Sequence, residues 1–168
     1  TSALTVNRSA EGLPWAVLSH GLFGRDLDTA IRPGSEAGKT HANCQKKALK
    51  SAFKLYDKDI KSWNKAVAKL ISDKGFSVGG GTKLYARSNG DLRNCLDTQC
   101  YDPKAKIDKL ANKVLTAFAG KHCTGVDLAD AFPATCKDTP TLEAMASCMA
   151  ARTRQAARDY MAAVAGLD

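Results

Sequence analysis

Six cysteines, at positions 44, 95, 100, 123, 136 and 148, are the residues of this 168-residue chain best suited to covalent chemistry, and the first 43 residues contain none. An even count, without paired CxxC ligand sets and without a CxxCH haem-attachment site, points to disulfides. Zinc needs four ligands at compatible short spacings. The close pair here is Cys95 with Cys100, and His122 beside Cys123 makes a poor second half, so no metal site is expected. Disulfides persist in oxidising compartments, so the chain is expected to be extracellular, at the cell surface or periplasmic. A start at Thr1 rather than at a Met agrees with a leader already removed.

The remaining nucleophile-like pattern is Gly75-Phe76-Ser77-Val78-Gly79, a formal G-x-S-x-G match. A nucleophile elbow needs a buried strand before its serine and a helix after it. Ser77 instead follows Ile71-Ser72-Asp73-Lys74 at a helix end and precedes Gly80-Gly81. A catalytic triad in this order needs an acid and then a histidine downstream, and the one later histidine, His122, sits among lysine and cysteine. His20 reads as a turn residue and His41 as part of a first helical turn; the three histidines share no ligand spacing. Gly79 to Gly81 lacks the Lys-Ser/Thr of a phosphate-binding loop, because Thr82 precedes Lys83. No cofactor is implied.

The elements that would hold these residues follow from apolar periodicity. Leu49, Phe53, Tyr56, Ile60, Trp63, Val67 and Leu70 recur at alternating steps of four and three, one stripe of a long helix over about 41 to 73. Thr40 or Asn43 is its candidate N-cap, and Gly75 is placed to end it in a left-handed conformation. Asp102-Pro103 signals a second helix, about 103 to 119, with Ile107, Leu110, Val114 and Phe118 as its stripe. Thr139-Pro140 signals a third, running to about 164, with Leu142, Met145, Met149, Ala156, Tyr160 and Ala163 inward. Val126 to Ala131 reads as a short helical turn, and Gly75 to Gly90 as a long loop with a brief strand at Lys83 to Ala86.

Three amphipathic helices bury their stripes by packing on one another, so the expected fold is all-α, a small antiparallel helical bundle braced by disulfides. Residues 40–168 form this domain. Cys123 with Cys136 spans a compact turn and is the preferred bond. For the other four, Cys44 with Cys148 and Cys95 with Cys100 are preferred among three connectivities. Each closed loop is worth about 2 to 4 kcal/mol. Residues 1–39 lack helical period and carry β-prone pieces at Leu4-Thr5-Val6 and Trp15-Ala16-Val17-Leu18, so they read as an irregular arm suited to contacting a partner.

Twenty-five Lys and Arg against seventeen Asp and Glu give a formal charge of +8. Much of it falls on the polar face of the first helix, at Lys46, Lys47, Lys50, Lys54, Lys58, Lys61, Lys65 and Lys69. Of these, Lys47, Lys50, Lys54, Lys58, Lys61 and Lys65 are the candidate binding residues for an anionic partner, a protein or a polymer. No aromatic residues interleave with them, which argues against single-stranded nucleic acid. No apolar run approaches the ~20 residues that span a bilayer.

Asn43-Cys44-Gln45-Lys46, Cys95, Cys100, Cys123-Thr124-Gly125, Phe132-Pro133-Ala134-Thr135-Cys136 and Leu142 to Cys148 together resemble a cysteine-patterned helical domain of predicted secreted proteins from myxobacteria and related groups, over residues 43–165. The resemblance implies location and fold rather than an activity. A further cysteine associated with the end of that domain's first helix is missing here. Separately, Trp15 to Gly24, with His20-Gly21, resembles the His-Gly oxyanion strand of α/β-hydrolase lipases and esterases, where close backbone approach to the substrate oxygen requires glycine. It implies an alternative, an ester or lipid hydrolase or a processed part of one, with Ser77 and His20 as its site. A second alternative is a carrier of a small apolar ligand in a bundle cavity beside Trp63 and Phe53. The preferred reading is a secreted, non-catalytic binding or assembly module.

Overall fold

A computed structural model describes residues 36–134, 136–139 and 141–165. The β-prone pieces expected in the arm, and His20, lie outside the described residues.

Helix α1 runs from Glu36 to Leu70. It starts before position 41, so residues 36–39, assigned by sequence to the arm, are its first turn. No glycine or proline interrupts residues 39–70, which leaves the i to i+4 ladder intact over about 50 Å. The helix stops three residues short of the expected end, and Gly75 at φ +66° then turns the chain. It leads into a two-stranded antiparallel hairpin of β1 (Phe76–Gly79) and β2 (Thr82–Leu84); β2 overlaps the brief strand expected at Lys83 to Ala86, and β1 is paired with it where the sequence suggested loop. Gly80 and Gly81, both at positive φ, form the two-residue connection that hairpin twist favours.

Helix α2 (Asn89–Cys95) was not anticipated; Ser88 caps it by accepting from the Asp91 amide. A π-helical turn, Leu96–Cys100, continues from it. Helix α3 (Lys106–Ala119) begins three residues later than Asp102-Pro103 suggested. The delay has a local cause: Asp102 to Ala105 close a turn first, with the Ala105 amide donating to the Asp102 carbonyl and Ala105 in the left-handed region. The Asp102 carboxylate then reaches over this turn and accepts from the amides of Lys106 (2.8 Å) and Ile107 (2.6 Å). Helix α4 (Leu128–Ala131) is the short turn expected there, capped by Asp127. Helix α5 (Leu142–Ala165) takes its cap from Thr141, whose hydroxyl accepts from the Ala144 amide, rather than from Thr139.

Helices α1, α3 and α5 pack mutually as an up-down-up bundle. Cys44 near the start of α1 bonds Cys123 just beyond the end of α3, and Arg154 in the second half of α5 pairs with Asp108 in the first turn of α3 at 2.9 Å. Successive long helices are therefore antiparallel. The Gln45 amide donates to the Ala131 carbonyl at 2.7 Å, fastening α4 to the start of α1.

The core departs from the expected stripes in one consistent way. On α1, Tyr56, Trp63 and Leu70 are buried as expected, but Leu49, Phe53, Ile60 and Val67 are only half-buried. The deepest positions are Cys44, Ala48, Ala52, Leu55 and Asp59, followed by Leu70 and Ala66. The helix is covered by α3 and α5 at once, and alanines at the contact allow the axes to approach closely. On α5 the inner row is Met145, Met149, Thr153, Ala157 and Met161, while Ala163 is exposed.

All six cysteines are paired, yet two pairings differ from expectation. Cys44 joins Cys123 and Cys136 joins Cys148, with Cα separations of 4.8 and 5.9 Å, in place of Cys123 with Cys136 and Cys44 with Cys148. The segment between Cys123 and Cys136 is not a compact turn closed on itself. Phe132 packs on Phe118 (centroids 5.4 Å apart) and carries Cys136 across to α5, leaving Cys123 against α1. Cys95 does bond Cys100, over the π-helical turn.

Candidate functional site: a lysine-lined groove

Lys47, Lys50, Lys54, Lys58, Lys61, Lys65 and Lys69 follow one another at steps of three and four, which places them on one arc of α1. All are exposed, beside rather than on the buried line of Ala48, Leu55 and Ala66. Over most of α1 this arc is a convex ridge facing solvent. Toward its C-terminal end, β1 and residues 100–107 stand beside it and convert the ridge into the wall of an open groove of about 320 Å³. Lys58, Lys61, Lys65 and Lys69 form one rim, Lys104 and Lys106 the other. Ala66, Phe76 and Ile107 close the floor, and Pro103 lies on the exposed lip.

Particular contacts hold the second rim in place. The Tyr101 ring packs edge-on against Trp63 of α1, with centroids 6.1 Å apart, and the Arg158 guanidinium lies 5.7 Å from the same ring. The Cys95–Cys100 bond anchors the residue just before it, and Cys100 itself lines the groove. Asp102, held by the amides of Lys106 and Ile107, fixes where α3 begins and so where both rim lysines stand. On the first rim, the Lys69 ammonium lies 5.6 Å from the Phe76 centroid.

Six ammonium groups face one carboxylate, that of Asp102, whose oxygens already accept two backbone amides. Lys61 pairs with Asp57 at 2.7 Å, but both are largely exposed, and such pairs are worth little. Lys58, Lys65, Lys69, Lys104 and Lys106 make no ion pair among the described residues. Their mutual repulsion is met by no ion pair among the described residues and is reduced by an anion.

Behind the groove, the α1 face toward α5 carries an arrangement the sequence did not suggest. Asp59 is fully buried, and neither of its carboxylate oxygens has a hydrogen-bond partner. The hydroxyls of Tyr56 and Tyr101 are likewise buried and unpartnered. Burial pushes the Asp59 carboxyl up to about 6, against the opposing pull of Arg154 and Arg158, with Asp102 and Asp108 adding to the rise. Burial also raises the Tyr56 phenol to about 12. At neutral pH this carboxylate is ionised at the cost of its burial, which Arg154, itself hydrogen-bonded to Asp108, and Arg158 offset only in part.

Of the candidate binding residues, Lys58, Lys61 and Lys65 enter the groove, whereas Lys47, Lys50 and Lys54 stay on the ridge. Lys69, Lys104 and Lys106 complete the groove. Ser77 is exposed on β1, opposite Lys83 of β2. It does not occupy a strand-to-helix elbow. His41 lies 3.7 Å from Asp130, and His122 adjoins Cys123, which is bonded to Cys44. Both histidines are thus near the start of α1, and Ser77 follows its end, roughly 40 Å away along the helix. No triad can assemble from Ser77 and either of them. Phe53 and Trp63, proposed to border a small-ligand cavity, pack into the bundle, and Trp63 meets Tyr101 instead.

Fold and site together define a disulfide-braced three-helix domain with a cationic groove at one end, and no helix among the described residues is long and apolar enough to cross a membrane. Compared with protein-family models, curated proteins and solved structures, the chain has no match.

Proposed function

We propose that this chain is a secreted, non-catalytic binding module that holds an anionic partner in the lysine-lined groove. The observation that carries this reading is the convergence of six lysines from two separate segments on one concavity with a single, already satisfied carboxylate. A solvated basic helix needs no second rim. Three disulfides support an oxidising compartment. With a Debye length of about 8 Å at physiological ionic strength, rim charges act on a ligand mainly once it is seated, and salt weakens the contact.

The test is binding of fluorescein-labelled poly-glutamate to the intact chain in low and high salt, with Lys61→Glu/Lys65→Glu as the variant. Binding should fall at least ~10-fold over the salt range, a loss of about 1.4 kcal/mol, and the variant should lose it at low salt. Salt-independent binding, or a variant that binds as the parent does, refutes the groove as the site.

A further inference from the structure

The groove combines two chemistries that a merely basic surface lacks. We propose that it seats an extended acidic peptide segment carrying an apolar side chain among its carboxylates. This rests on the anionic-partner reading above and adds the partner's class.

The length fits. From Lys58 to Lys69 the α1 rim rises over eleven residues, about 17 Å, which matches about five residues of extended chain at ~3.3 Å each. In an extended segment alternate side chains point to opposite faces, so a central apolar residue can turn to the floor while its neighbours reach the rims. Ala66, Phe76 and Ile107 make the floor apolar but are themselves almost fully covered, so the surface open to that residue is chiefly Pro103 at the lip and the lysine stems. The lysine stems extend this apolar surface up to the ammonium groups. A volume of about 320 Å³ is at the small end of ligand pockets, enough for one side chain with its flanking backbone.

The same inventory disfavours the other polyanions. An acidic glycan presents hydroxyls that donate as well as accept, and lysine ammoniums only donate; of the acceptors in the lining side chains, Asp102 is occupied by α3 amides, which leaves Ser62. Nucleic acid strands bind through exposed aromatic platforms, and the one ring in the groove, Phe76, is 7% exposed beneath Lys69.

The experiment measures fluorescence polarisation of labelled Glu-Glu-Leu-Glu-Glu and Glu-Glu-Ser-Glu-Glu on the full chain at low salt, with a polygalacturonate oligomer as competitor. The leucine peptide is expected to bind ~10-fold tighter than the serine peptide, the increment for burying most of one leucine. Lys65→Glu/Lys69→Glu should abolish binding. Lys47→Glu/Lys50→Glu, on the ridge outside the groove, should change it less than ~2-fold when both variants are compared at about 0.15 M salt, where a Debye length of about 8 Å screens the ridge from the groove, an effect below 0.5 kcal/mol. All these lysines are exposed, so each variant should retain the parent's helical circular dichroism. Equal affinity for the two peptides, tighter binding of the glycan, or equal damage from ridge and groove variants overturns the peptide assignment while leaving an anionic partner in place. Failure of all three probes to bind overturns both.

Discussion

Replacing Asp59 with Asn should stabilise the protein at neutral and alkaline pH, and the gain should vanish in acid. Asp59 is fully buried with both oxygens unpartnered, and its carboxyl is raised to about 6 from an ordinary value of 3.8. A folded-state value above the unfolded one means that the native chain holds this proton more tightly. The resulting stability is complete below the unfolded value and is lost as pH rises through about 6. A difference of about two pH units corresponds to about 3 kcal/mol lost in full, of which about 2 kcal/mol falls between about pH 4.5 and 7.5. Asn matches the protonated carboxyl in size and does not titrate, so the variant's advantage over the parent should widen by about 2 kcal/mol across that window. With a urea slope of about 2 kcal/mol per M, the two midpoints should separate by about 1 M more at the higher pH. The charged groups acting on Asp59 are Arg154 and Arg158 of α5, Asp108 of α3 and Asp102 before it. Curves for parent and variant that run parallel with pH would mean that Asp59 is ionised and adequately paired throughout, and the argument from burial would fail.

The disulfides should differ in worth by the loop each closes. Cys44–Cys123 spans 79 residues and Cys136–Cys148 spans 12, which correspond to about 4.5 and about 3 kcal/mol. The paired serine variants should therefore rank in that order in urea unfolding under non-reducing conditions, and peptide mapping of the intact chain should recover these two links rather than Cys123–Cys136. Gly75→Ala should cost about 1 to 3 kcal/mol, because φ is +66° and the new Cβ would stand 2.7 Å from the Tyr85 ring. Adding Tyr85→Ala should recover the steric part alone, and full recovery would show that the left-handed backbone is not the cost.

Much of the bundle was legible because helix periodicity is a local property. The α1, α3 and α5 segments declare themselves through apolar residues at steps of three and four, and Asp102-Pro103 marks the approach to α3 even though the turn at Ala105 delays it. Less legible was whatever depends on two segments meeting. The alanine-rich inner face of α1 carries no strong hydrophobic signal, so the sequence stripe led to Leu49 and Phe53, while the closest contact falls on Ala48 and Ala52. The pairing of Cys44 with Cys123 depends on which end of α3 meets α1, and spacing alone does not contain it. The first strand of the hairpin was concealed by its brevity, four residues before Gly80-Gly81.

The candidate site divides in the same way, and its hidden half left a trace in the sequence after all. Lys58, Lys61 and Lys65 could be read from α1, but Lys104 and Lys106 lie some forty residues later in the chain, and no periodicity ties them to that face. Their position argues otherwise once α3 is located. A helix N-terminus carries partial positive charge and favours acids in its first turn, so lysines immediately before and at its first position are locally unfavourable. Asp102 and Asp108 offset that cost without removing the lysines. Asp59 in the middle of an otherwise apolar helix face is a misfit of the same kind. Where local preference and observed residue disagree, the disagreement marks positions that answer to something other than stability. In this chain the two misfits meet at one segment, from Tyr101 to Asp108: it contains Lys104 and Lys106 and forms the second rim of the groove, and its Asp102 and Asp108 add to the rise of the Asp59 carboxyl.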